Sequence, residues 1–184
     1  MNPLLKKPIE RMVQGLAHWV AYKWETSAVK FVEAEAVGEA ANILFNRIPF
    51  PVKIEREVDY RTICPSIKKN QRADLGLFCN NQCKCLLEFK LSENTNGGYE
   101  ADIEKLMQVK ALNPSIDCFV VLIYRHSCSL TEPYFLCNGK ASKSDIVNTT
   151  KKGLKYKIRV RKVGNAISSL SRDTMKKVVC IEIL

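Results

Sequence analysis

In the run from Arg72 to Ser92, RADLGLFCNNQCKCLLEFKLS, two carboxylates stand where packing alone would not put them. Asp74 opens one apolar segment, Glu88 interrupts the next, and Lys90 follows two residues later. A charge among buried neighbours costs desolvation unless something compensates it. Alternation along a strand sends Glu88 and Lys90 to one face and Leu87, Phe89 and Leu91 to the other. A three-residue turn over Asn80 to Gln82 sets Cys79 across from Cys83 and, in continued register, Asp74 directly opposite Glu88. A two-residue Asn80-Asn81 turn breaks that parity and sends the acids to opposite faces. Opposed Cβ atoms lie about 4.5 to 5.5 Å apart, so in the first case the carboxylates converge. Such a pair is tolerated when one member keeps a proton or a hard divalent cation lies between them, and Mg²⁺ fits best. The competing reading is a surface hairpin with Glu88 and Lys90 in water.

The elements that must position this hairpin follow from hydrophobic period and breakers. A first helix is expected from about Pro8 to Trp24 and a second from about Glu25 to Arg47, capped by Thr26 or Ser27 and ended by Pro49 and Pro51. VKIEREVDY (52–60) alternates as a strand, RADLGLF and KCLLEFKL form the hairpin, and ENTNGG is a polar loop. YEADIEKLMQVKAL (99–112) is expected to be a helix and CFVVLIY (118–124) a strand covered on both faces. The tail offers strands at 154–163 and 177–184, with a helix near Ala166 to Met175 between them. This order indicates an α/β class with a mixed sheet flanked by helices.

The 184 residues, 46% apolar and 26% charged, suit one globular domain spanning 1–184. No apolar window is long enough for a membrane span and no signal-peptide core opens the chain, so a soluble, intracellular protein of the cytoplasm, nucleoid or nucleus is expected, with no membrane partner. The formal charge of +10 attracts polyanions such as nucleic acid, although a basic surface kept for solubility accounts for it as well. The eight cysteines, with no secretory signal, are expected to be reduced. Cys79, Cys83 and Cys85 lack the second pair that a zinc site needs and are expected to pack as small hydrophobes. Nothing in the sequence fixes an oligomeric state.

With Asp74 followed by Glu88-Phe89-Lys90 in the middle of an apolar strand, and a helix on either side of the strands, the segment from about Glu25 to Tyr124 resembles the PD-(D/E)xK nuclease superfamily. The usual proline before the aspartate is replaced by Ala73. The resemblance implies a restriction-endonuclease-like fold with its nuclease core at about 25–125 and an extension at about 126–184. It implies a metal-dependent endonuclease that hydrolyses phosphodiester bonds in nucleic acid, DNA in preference to RNA. In such enzymes Asp74, Glu88 and the Phe89 backbone carbonyl would hold Mg²⁺, with Mn²⁺ able to substitute, and Lys90 would orient or deprotonate the attacking water or neutralise the phosphate. The family's further carboxylate from the preceding helix would be Glu39, taken to share a side with Ala28, Val32, Ala36 and Ile43, with Glu35 next and Glu33 more exposed. The alternative is a catalytically inactive, basic nucleic-acid-binding or assembly module of the same fold.

Three further cations are candidate nucleic-acid contacts. Arg72 falls near Lys90 in the extended hairpin register and would repel it unless an anion bridges them. In LKYKIRVRKV, Lys157 and Arg159 belong to a basic face that alternates with Leu154, Tyr156, Ile158 and Val160. That face is either a phosphate track or a solvated edge that discourages aggregation. Lys105 and Gln108 on the later helix could contact the phosphate backbone but are expected to be solvated, and His18 and His126 are expected to be structural.

Overall fold

The computed structural model describes residues 3–26, 32–48, 51–67, 71–92, 98–125, 146–151, 154–166 and 176–184. In chain order these form α1 (Pro3–Thr26), α2 (Glu33–Phe45), β1 (Val52–Asp59), α3 (Tyr60–Ile63), β2 (Arg72–Cys79), β3 (Gln82–Ser92), α4 (Gly98–Leu112), β4 (Asp117–Arg125), β5 (Ile146–Lys151), β6 (Leu154–Ala166) and β7 (Lys176–Ile183). The expected helix near 166–175 lies outside the described residues, save Ala166, which ends β6.

The strands make one seven-stranded mixed sheet in the order β1-β2-β3-β4-β7-β6-β5. β3 and β4 pair in parallel and α4 is the crossover between them, as a parallel pair requires. β7 enters between β4 and β6, antiparallel to both, so the last eight strand residues complete the sheet rather than extend it. One face packs under α1 and α2, with Leu16 and Val20 of α1 and Ala40 and Leu44 of α2 against Leu87, Phe89 and Phe119. On the other face Ile103, Leu106 and Val109 of α4 meet Leu86, Val120 and Ile181. A mixed α/β sheet flanked by helices is therefore present. Among the described residues no helix is long and apolar enough to cross a membrane.

Three boundaries differ from expectation for local reasons. α1 begins at Pro3, which suits a first helical turn as well as Pro8 does, and Pro8 sits inside the helix. α2 begins at Glu33: the Val32 N–H donates to Glu35 Oε2 at 3.0 Å, so the reach-back of Glu35 replaces the Thr26 or Ser27 cap. Thr26 instead ends α1, and Ser27 lies outside the described residues. After β1, Asp59 caps the short α3 by accepting from Arg61 N at 2.8 Å, and this turn swings Tyr60 into the core.

At the far side of the sheet α1 lies close on β6. A Cβ at Gly164 would come within 2.8 Å of the Ala17 Cβ and 3.0 Å of the Val13 carbonyl oxygen, so only glycine admits this approach.

Candidate active site at the end of the hairpin

The hairpin turn is the two-residue Asn80-Asn81, both at positive φ (52° and 59°), with Cys79 paired to Gln82. Taken alone, this turn would separate the acids. A bulge restores the parity: the register shifts between Phe78↔Cys83 and Leu77↔Cys85, so that Lys84 is the extra residue and the ladder ends at Leu75↔Leu87. One step further along, Asp74 falls beside Glu88. Because the β2–β3 ladder stops there, the Phe89 N–H is taken by the Asp74 side chain, donating to Oδ2 at 2.6 Å.

Glu88 is 3% exposed, on the α4 side of the sheet. It accepts a hydrogen bond from the Tyr60 hydroxyl at Oε1, and Lys105 Nζ lies 3.8 Å from the same oxygen. Lys105 in turn bonds Asp102 Oδ1 at 2.6 Å, and Asp102 is itself buried. On the other flank, Glu33 at the start of α2 accepts from the Leu91 N–H at 3.0 Å, and Lys90 Nζ lies 3.6 Å from Glu33 Oε2.

Burial pushes the Glu88 carboxyl up to about 8; the Tyr60 hydrogen bond and Lys105 oppose the rise, and the charges of Asp74 and Asp102 add to it. Asp74 is also raised, first by burial and then by the charge of Glu33, against the pull of the Phe89 N–H. Tyr60 is held well above its usual range by burial and by Glu88. Burial pulls the Lys105 ammonium down, but the Asp102 bond and the charge of Glu88 more than offset it, and the net shift is upward. Near neutral pH the Asp74–Glu88 pair therefore shares a proton, the behaviour of two like charges that cannot both ionise.

The helix acid at the hairpin is Glu33, which corrects the phase expected for α2. Its buried stripe is Ala36, Val37, Ala40 and Leu44, while Val32 is exposed and outside the helix. At about 100° per residue Glu33 heads that stripe and Glu39 stands about 120° away round the helix. Glu35 is engaged with Lys23 at 3.3 Å. Arg72 is corrected as well: the register that would bring it to Lys90 is not formed, and it faces Asp59 of β1. Asp59 is held down at about 2, chiefly by Arg61, with Arg72 adding to the effect. In β6 the face holding Arg159 is not wholly solvated. Arg159 lies directly across from Glu182, which is 3% exposed, and its Nε is buried. A second bulge, at Arg161, ends the simple alternation of that strand. For Lys157 only the backbone pairing to Asn148 is described.

Tyr60 and Asp102 are the site residues that sequence reasoning did not single out, and Glu33 and Lys105 are ones it weighed and set aside as exposed or solvated. Asp102 stands in line with Leu106 and Val109 on α4, and Glu33 in line with Val37 and Ala40 on α2. An acid on an apolar stripe is the same signal that marks Glu88 in its strand. Tyr60 carried no such signal.

A divalent cation suits the chemistry of this cluster in one respect and is only partly served in another. Glu33, Asp74, Glu88 and Asp102 oppose Lys90 and Lys105, an excess of two carboxyls over ammonium groups. The Phe89 N–H and carbonyl point to the same neighbouring strand, so that carbonyl is directed toward the Asp74 side. Among the described residues, however, no group of three or more His, Cys, Asp or Glu stands in a geometry that could hold a metal ion. Asp74, Glu88 and the Phe89 carbonyl would be the donors for a cation that keeps most of its waters, as Mg²⁺ does. The six cysteines among the described residues are free, and burial pushes Cys83 and Cys118 up to about 12, away from the thiolate a soft metal needs.

No family model, no curated protein and no solved structure matches this chain.

Proposed function

We propose that the chain is a metal-dependent nuclease of the PD-(D/E)xK type with a restriction-endonuclease-like fold, hydrolysing phosphodiester bonds in nucleic acid, DNA before RNA. One observation carries the reading: Asp74 and Glu88 converge where the β2–β3 ladder ends, and Glu88 is raised to about 8 by burial and, beyond that, by its like-charged neighbours. A structural hairpin has no need of a buried carboxyl pair, whereas a cation site does. The order α2, three antiparallel strands, the α4 crossover and a parallel β4 also fits such a core.

When bound, Mg²⁺ would polarise the scissile phosphate and lower the pKa of a coordinated water. Asp74, fixed by the Phe89 N–H, and Glu88, fixed by Tyr60, would bind it as Glu88 gives up its proton. Lys105 stands beside Glu88 as an ammonium able to counter charge on phosphate oxygens, the part first assigned to Lys90. Lys90, turned to Glu33, would need only to change partner to join it.

That Lys90 contact is also the observation favouring the alternative, an inactive nucleic-acid-binding module. Plasmid cleavage with Mg²⁺, Mn²⁺ or EDTA decides between them. Asp74→Ala and Glu88→Ala should each lose on the order of 10²–10³-fold in rate while retaining the wild-type far-UV spectrum. Binding without cleavage by the wild type would select the inactive module.

A further inference from the structure

The outer wall of the helical layer holds a second feature that the hairpin site does not use. α1 and the end of α2 enclose an open cleft of about 570 Å³, walled by Arg11, Gln14 and His18 on one side and Asn46 and Arg47 on the other. Its floor is Gly15 against Ile43. A Cβ at Gly15 would meet Ile43 Cδ1 at 3.0 Å, so glycine is what lets the two helices close under the cleft without filling it. Every polar side chain of the walls can donate a hydrogen bond, and no carboxylate is among them. Among the described residues neither Arg11 nor Arg47 is in an ion pair, although Lys23, Lys53, Arg61, Lys90 and Lys105 each have an acidic partner. Two unpaired guanidinium groups facing one cleft repel each other, and an anion between them relieves that repulsion.

The shape argues for an extended anion rather than a point charge. Lys7, Arg11, Gln14 and His18 recur at helical spacing on the exposed side of α1. At 1.5 Å per residue this stripe is about 16 Å long, enough to follow several phosphates of one strand, which recur about every 3.4 Å of duplex axis. α2 links this cleft to the hairpin, since Glu33 at its start touches Leu91 and Asn46 and Arg47 follow its end, roughly 20 Å away by the same rise.

We infer that the cleft between α1 and α2 binds the phosphate backbone of a nucleic acid strand, apart from the Asp74–Glu88 site. The inference rests on the nucleic-acid half of the function proposed above and not on its catalytic half. Phosphates are gripped by the Arg11 and Arg47 forks, with His18 and the Gln14 and Asn46 amides completing the contacts; base edges are not read.

The test is binding of fluorescent single-stranded and duplex oligonucleotides to the full chain in EDTA, so that no cleavage intervenes. Arg11→Gln/Arg47→Gln is compared with the wild type and with Lys53→Gln, whose lysine pairs with Glu55 elsewhere. The double variant should bind about tenfold more weakly at physiological salt. It should also lose up to about 1.8 from the slope of log affinity against log salt for duplex, with little change for Lys53→Gln. Affinity should rise with oligonucleotide length, and a nucleoside monophosphate should compete poorly. A wild type that binds no oligonucleotide, a double variant within twofold of wild type at unchanged slope, or a mononucleotide that competes as well as a 20-mer would each overturn the assignment. Cleavage by the same proteins in Mg²⁺ separates the two ideas. Normal binding by the double variant together with cutting by wild type removes the cleft and leaves the nuclease. Weakened binding by the double variant with no cutting by wild type removes catalysis and leaves the cleft.

Discussion

Glu88 and Glu182 are each 3% exposed in the middle of the same sheet, one on the α4 face and the other on the α1 face, yet their surroundings are opposite in kind. Glu182 of β7 has Arg159 of β6 directly across from it, so a cation accompanies the buried charge. Glu88 of β3 has Asp74 as its neighbour, with Asp102 adding negative charge and Lys105 only partly offsetting it. The β6–β7 region sets a cation of the fold opposite its acid. The β2–β3 region gathers more negative than positive charge, a demand that the function proposed above would meet with a bound cation.

Stability should separate the two glutamates most strongly. Glu182→Ala removes the buried acid that stands across from Arg159, whose Nε is itself buried, and leaves that cation without an opposite neighbour, at a cost of about 3 kcal/mol in urea unfolding. Glu88→Gln removes a like charge from beside Asp74 and should be close to neutral or stabilising near pH 8. The sign follows from linkage. Glu88 is raised from 4.5 to about 8, so the native state keeps a proton that the unfolded chain releases. Its contribution is fully present below about pH 4.5 and is lost as pH rises through about 8, by at most about 1.4 kcal/mol per pH unit. Glu88→Gln should flatten that decline while Glu182→Gln leaves it in place. Equal losses for both alanine variants, or a decline that persists in Glu88→Gln, would erase the distinction between the two regions.

A smaller effect sharpens the boundary of the hairpin site. Glu33→Gln should weaken metal-dependent cleavage by about tenfold, as expected of a residue that orients the site's neighbours, and Glu39→Gln by less than twofold. The reverse order in a cleavage assay would return the helix ligand to Glu39.

The sequence made the Asp74–Glu88 convergence legible, but by a route the chain does not take. A three-residue turn was needed for the parity; the chain uses a two-residue asparagine turn and recovers the parity with a bulge at Lys84. No glycine or proline announces that bulge, so local signals could not reveal it. Most strands and the α4 crossover were readable from alternation and from continuous apolar runs. The insertion of β7 between β4 and β6 was not, because nothing local in KVVCIEIL encodes which distant strand it joins. The same limit misled the reading of Arg159, whose basic face looked solvated until register set Glu182 across from it. Tyr60 was hidden by α3, four residues long and too short to leave a periodic pattern.

The central claim, that the Asp74–Glu88 pair is a cation site, is tested most directly by calorimetric titration of the metal-free protein with Mn²⁺ and Mg²⁺ at pH 6, 7 and 8, in buffers of different ionisation enthalpy. The cation must displace the proton held by the pair, so binding should release close to one proton at pH 7 and tighten by about tenfold per pH unit below 8. Asp74→Asn and Glu88→Gln should each abolish the binding. Affinity independent of pH with no proton released, or binding that survives in both variants, would contradict the account.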